Sequence, residues 1–204
     1  LSEASSVAKV SIDSNYKVTV SGGFSGTADF DGTYLTSSGS WDVFVATIDD
    51  FAQSSSSSSF DWDSVIRGGG EGYDRATAHS VTANGATILG GYFSGESNYG
   101  SNQLSSYSSN DGFITQLSSS GAWSWAEQIG GTGGYDSARG VAALSDGSTA
   151  IVGRFEGTAD FGSTAITSNG GRDGFIAIYE ANGTLRHITS FGSDLGESGI
   201  SIVE

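Results

Sequence analysis

Nine residues near the start of the chain, Gly22-Gly23-Phe24-Ser25-Gly26-Thr27-Ala28-Asp29-Phe30, return as Gly153-Arg154-Phe155-Glu156-Gly157-Thr158-Ala159-Asp160-Phe161. A degenerate copy, Gly91-Tyr92-Phe93-Ser94-Gly95-Glu96-Ser97-Asn98-Tyr99, lies between them. Phe24, Phe93 and Phe155 therefore mark two successive intervals along the chain. Asp42, Asp111 and Asp173, each two positions before Phe44, Phe113 or Phe175, keep the same two intervals. A third marker, Gly72-Tyr73-Asp74, returns as Gly134-Tyr135-Asp136, at the second of these intervals. Self-similarity of this kind means that one supersecondary unit is built three times, so the fold must be a repeat architecture.

Within a unit the apolar residues follow strand periodicity. The third unit places an apolar tract at 138–144, the turn Ser145-Asp146-Gly147-Ser148, and a second tract at 149–155. It continues with 174–179, the turn Ala181-Asn182-Gly183, and 184–191. Short tracts rich in Val, Ile, Phe and Tyr, separated by Asp-Gly or Asn-Gly, are hairpin signals. Asn84-Gly85 takes the first of these turns in the second unit and Ser14-Asn15 in the first. No tract sustains the helical period, so no helix of consequence is expected. Four short antiparallel strands per unit is the content of a β-propeller blade. The expected fold is all-β, with blades at about 4–67, 68–129 and 130–191 and the first strand of a fourth at 192–204. The first interval is longer than the second, and the surplus falls at the six-serine run 54–59, read as a lengthened surface loop.

The succession G-G-x-G-x-D-x-A-x-x-V, D-G-x-x-x-x-x-G-x-F-x-G-T-A-D-F-G and G-x-x-D-x-F-I-A, best matched at 130–188, resembles the bacterial β-propeller repeat often called SBBP. The resemblance spans essentially the whole chain. It implies a part in a large secreted or cell-surface protein, often one with several propellers or other adhesive modules. Propellers close with four to eight blades, and three of ordinary size leave sheet faces and edges uncovered. The expected partners are therefore further repeats of the same polypeptide or other copies of the chain. The sequence is expected to be an excerpt of a longer ring, or a subunit that assembles through its exposed edges into a fibre or layer.

Composition narrows the chemistry. There are no cysteines, which removes disulfides, thiol nucleophiles and Cys-based metal sites. Against 23 acidic residues stand 8 Lys and Arg, a formal charge of −15. Phosphate backbones need clustered cations, so nucleic acid is not an expected partner. No apolar run approaches the roughly 18 residues that a membrane-spanning helix requires, so no membrane insertion is expected either. An acidic chain rich in Gly and Ser, yet with 11 % aromatics, reads as a folded module rather than a disordered one, and the resemblance implies an extracellular or cell-surface setting for it.

Several residues invite functional readings. Gly130-Gly131-Thr132-Gly133-Gly134-Tyr135-Asp136 looks like the calcium-binding nonapeptide of β-roll toxins, which makes Asp74 and Asp136 calcium candidates. Calcium needs several converging oxygens, and a motif met once per unit cannot stack on itself. The competing reading is a glycine-rich turn in which these carboxylates accept backbone N–H bonds. A phosphate loop is rejected, because strands rather than a helix follow the glycines and Glu71 and Asp74 are acidic. Asp42, Asp111 and Asp173, and the position shared by Asp29, Asn98 and Asp160, recur in every unit and are read as structural. His79 and His187 lie far apart, and no G-x-S-x-G elbow is present. Trp123-Ser124-Trp125 is expected by simple alternation to place two indoles on one face, packed between blades or forming a sugar-stacking platform. Asn182-Gly183-Thr184 fits a glycosylation pattern but is read as a turn.

The expectation is a non-catalytic structural or adhesive β-propeller module without a cofactor. The alternatives are a carbohydrate-binding propeller that recognises surface glycans, a self-assembling subunit, and a hydrolase fragment needing carboxylates that are not blade equivalents.

Overall fold

The computed structural model describes residues 4–49 and 61–202; the serine run and Phe60 lie outside them. The described residues contain no helix, and so none long and apolar enough to cross a membrane.

The first unit supplies β1 (Ala4–Ile12), β2 (Val18–Ser25), β3 (Thr27–Phe30), β4 (Thr33–Thr36), β5 (Asp42–Ile48) and β6 (Ser64–Gly68). Its antiparallel sheet runs β1-β2-β5-β6, and β3 with β4 forms a two-stranded ribbon in the β2–β5 connection. The second unit repeats this with β7 (Arg75–Val81), β8 (Thr87–Phe93), β9 (Glu96–Tyr99), β10 (Asn102–Ser105), β11 (Asp111–Leu117) and β12 (Trp123–Ile129). The third uses four strands, β13 (Ser137–Ala143), β14 (Thr149–Asp160), β15 (Ala165–Tyr179) and β16 (Leu185–Phe191). Here β14 and β15 run on through the ribbon, past a register shift between Glu156 and Thr158. The ribbon is an addition to the four strands expected per unit. It arises where the Gly-Thr-Ala-Asp-Phe segment folds back on the residues after it.

Register repeats with sequence. Phe44 faces Gly22, Phe113 faces Gly91 and Phe175 faces Gly153 across the two central strands. A Cβ on Gly91 would lie 2.6 Å from the Phe113 ring and 2.1 Å from the Arg75 carbonyl oxygen, so only glycine admits both neighbours. The first strand of each sheet carries a bulge, at Val7/Lys9, Ala76/Ala78 and Ala138/Gly140. The turn into the second strand needs a left-handed residue, and Gly85 (φ 80) and Gly147 (φ 86) provide it. In the first unit that slot falls on Tyr16 (φ 62), with Asp13 Oδ1 accepting the Asn15 and Lys17 amides, so the turn is built by Asp13 and Tyr16 as well as the expected Ser14-Asn15.

Neighbouring sheets pack face to face. One core joins Val43 and Val45 of the first sheet to Leu89, Phe93, Tyr99, Phe113 and Leu117 of the second unit. The next joins Ile88, Ile114, Trp125 and Ile129 to Ile151, Phe155, Phe161, Phe175 and Tyr179. Adjacent residues such as Ile88 and Leu89, or Phe113 and Ile114, enter different cores, which is why these strands read as continuous apolar runs. A third cluster, Phe24, Phe44 and Ala46 with Val20, Phe30 and Trp62, belongs to the first unit alone. The first strands β1, β7 and β13 border one open cavity of about 620 Å³, joined there by Ile202.

The first strand of a fourth unit, expected at 192–204, is not formed over 192–202, and positions 203 and 204 lie outside the described residues. One backbone hydrogen bond of the other junctions recurs in this segment. The Glu197 amide donates to Arg172 O (2.7 Å), as Asp74 does to Trp41 O (2.8 Å) and Asp136 to Asn110 O (3.1 Å).

Candidate functional site

Each junction between sheets is built from a glycine turn and two acids. Asp42, Asp111 and Asp173 accept the amide four positions upstream, from Ser38 (3.0 Å), Tyr107 (3.0 Å) and Asn169 (3.1 Å). All three are buried. They pack against Gly69, Gly130 and Gly192, where an added Cβ would fall within 2.9, 2.5 and 2.1 Å of the carboxylate carbon. Their remaining partners differ. Asp42 pairs with Arg67 (2.5 Å), Asp111 accepts Gln128 Nε2–H (2.6 Å), and Asp173 accepts Asn169 Nδ2–H (3.4 Å).

The calcium candidates occupy the same junctions. Asp74 is buried and accepts the Gly70 amide (2.9 Å); Asp136 is buried and accepts those of Gly131 (3.3 Å) and Glu156 (2.9 Å). Burial pushes the Asp74 carboxyl up to about 6 and the Asp136 carboxyl up to about 7, and their acidic neighbours Asp42 and Asp111 add to it. Among the described residues, no group of three or more His, Asp or Glu side chains is placed to hold a metal ion.

Trp123 and Trp125 lie on opposite faces of their sheet, not on one. Gln116 faces Trp125 but Leu117 faces Trp123, so Ser124 is the extra residue of a bulge and reverses the alternation. Trp123, half-buried, turns to the first sheet, edge-on to Tyr99 (5.1 Å) with Nε1–H donated to Arg67 O (3.3 Å). Trp125 turns to the third, beneath Gly183, with Nε1–H donated to Ala181 O (3.0 Å). In that covering hairpin Asn182 Oδ1 accepts the Thr184 amide (3.0 Å).

The histidines stay apart, His187 exposed on β16 and His79 buried on β7. His79 is held on both sides, by Ser11 Oγ at Nε2 (2.8 Å) and Ser21 Oγ at Nδ1 (2.7 Å), which ties β7 to β1 and β2. Burial, and then the charge of Lys9, hold its ring down to about 4, so it is neutral at pH 7. Asp29 accepts the Gly32 amide within its own ribbon, whereas Asn98 and Asp160 exchange backbone bonds with Gly69 and Gly130, each directly after the last strand of the preceding sheet.

Sequence reasoning missed one constellation. Trp41, Tyr73, Tyr92 and Tyr135 form a ladder across all three units, with ring centroids 5.7, 5.9 and 6.5 Å apart. Arg75 lies over Trp41 (5.7 Å), and Arg154 (5.8 Å) and Arg172 (5.7 Å) lie over Tyr135. The signal was present in the repeats. Tyr73 and Tyr135 belong to the Gly-Tyr-Asp marker, Arg154 takes the slot of Tyr92, and Arg172 precedes Asp173. Set against known proteins, the chain matches no family model and no curated sequence.

Proposed function

We propose that the chain is a non-catalytic β-propeller-type module of a secreted or cell-surface protein, whose task is to join further sheets of the same kind and hold its loops rigidly for structural or adhesive work. The observation that carries this reading is the difference in burial between equivalent residues. Leu89 and Ile151 are fully buried under a preceding sheet, while their equivalent Val20 is only half-buried. At the other end, Val45 and Ile114 are 1 % and 0 % exposed, but their equivalent Ile176 is 37 % exposed. Both outer faces are thus made of residues that elsewhere in the chain form inter-sheet core. The first strands gathered around one cavity support a fan of sheets about a common axis. The recurrence of each junction acid with a backbone partner supports a folding role for these carboxylates rather than acid–base chemistry.

Native mass spectrometry over a range of concentrations tests the reading. Head-to-tail oligomers are expected from the unmodified chain, because a second copy offers the missing sheet. Val20→Asp and Ile176→Asp should each remove them, and mixing the two variants should restore a dimer and nothing longer. A chain that stays monomeric at every concentration overturns the reading.

A further inference from the structure

Three of the six arginines, Arg67, Arg172 and Arg186, form ion pairs with carboxylates. Arg75, Arg139 and Arg154 form none among the described residues, and all three stand on or beside the aromatic ladder, in a chain of charge −15. With acids outnumbering cations so heavily, a cation without a carboxylate partner calls for a reason.

Between the second and third units the ladder opens into a cavity of about 320 Å³ bordered by Thr77, Tyr92, Tyr135, Arg139, Arg154 and Arg172. The bulge in β13 aims Arg139 here, since it is the extra residue between Ala138 and Gly140. Among the described residues, Arg139 Nε–H has one weak partner, Ser137 Oγ at 3.3 Å, and Arg154 Nε is buried with none. A buried donor left unpaired costs free energy that an acceptor from a ligand would return. Arg172 is shared with Glu156 (Nε to Oε2, 3.1 Å), the one carboxylate paired with the cluster among the described residues. Burial, together with the like charges of Arg139 and Arg172, holds the Arg154 guanidinium below its ordinary range. The cluster is therefore short of negative charge.

Guanidinium forks match a carboxylate in a planar, two-bond geometry, and the tyrosines add ring edges and hydroxyls that can border a sugar ring. The volume lies at the small end of the range for ligand pockets, enough for one or two rings. A long polyanion would meet the acidic surface beyond the cavity, where repulsion reaches about 8 Å at physiological salt. We propose that the cavity formed by Arg139, Arg154 and Arg172 against Tyr92 and Tyr135 binds a small ring-bearing carboxylate of the hexuronic acid class. This inference stands independently of the end-to-end joining of sheets, since it uses a cavity within one chain.

Titration of the protein with sodium glucuronate, followed by amide chemical shifts and calorimetry, tests it. Arg139→Gln and Arg154→Gln are each expected to weaken binding at least tenfold, and glucose should not bind. Glu156→Gln, which frees Arg172, should tighten binding severalfold, a gain that a damaged fold would not produce. Sulfate binding as tightly as glucuronate would overturn the saccharide assignment. Absence of any shift around Tyr135 and Arg139, or shifts unchanged in both arginine variants, would overturn the site itself.

Discussion

Gly69 and Asn98 exchange two backbone hydrogen bonds, of 3.0 and 3.1 Å, that stitch the end of the first sheet to the ribbon of the second unit. Gly130 and Asp160 repeat the exchange one unit later, at 3.1 and 2.9 Å. The chain is thereby joined across each junction by main chain as well as by apolar packing, and side-chain identity at 98 and 160 is free to vary between Asn and Asp.

Gly69 takes φ 138 with Asp42 Cγ 2.9 Å from the position of an added Cβ. Gly69→Ala should therefore destabilise by about 1–3 kcal/mol, because strain and contact act together. Gly147→Ala, at φ 86 with nothing within 4 Å, should cost less, about 1 kcal/mol. Urea denaturation of the two variants checks the order.

Tyr16 occupies with φ 62 the turn position that glycine fills in the other units, and its side chain is exposed. Tyr16→Gly should raise stability by about 0.5–1 kcal/mol, relief of left-handed strain exceeding the entropy that glycine adds to the unfolded chain. A rise in the denaturation midpoint with unchanged slope is the expected result.

Equivalent positions should respond unequally to truncation. Leu89→Ala opens a cavity between two sheets and should cost about 2–5 kcal/mol. Val20→Ala, on a face left uncovered in the single chain, should cost about 1 kcal/mol when both variants are measured below the concentration at which copies associate. Equal costs would mean that the two faces are equally covered in solution.

Stability should fall as pH rises from about 5 to 7. In the folded chain Asp74 and Asp136 hold protons up to about 6 and about 7, which the unfolded chain releases near 3.8, so their contribution is lost over that interval. His79 works in the opposite sense. Folded, it refuses a proton down to about 4 that the unfolded chain takes near 6.5, so its contribution is lost as pH falls between those values. Two carboxyls outweigh one imidazole. At about 1.4 kcal/mol per pK unit, the cost of Asp136→Asn should be smaller at pH 8 than at pH 5 by up to about 3 kcal/mol. Thermal unfolding across this range measures both trends.

Much of the fold was legible in the chain because folding devices recur in register. The apolar tracts marked the strands, and the Gly-Phe spacing marked the central pairs of each sheet. Periodicity could not reveal Ser124 as a bulge residue, since one extra residue leaves no mark on composition while reversing every side chain beyond it. The two tryptophans, adjacent in alternation, consequently serve different cores. Nor could spacing show that Arg154 and Arg172, from different strands, meet over Tyr135.

Local sequence determined which segments are strands, where they turn and that the unit is made three times, because those choices depend on neighbours close along the chain. Which face of each sheet is covered, which acids lose their water and which cations gather without a counterion were decided only when the sheets packed. Burial and electrostatic environment are properties of groups brought together from distant parts of the chain, and no single repeat contains them.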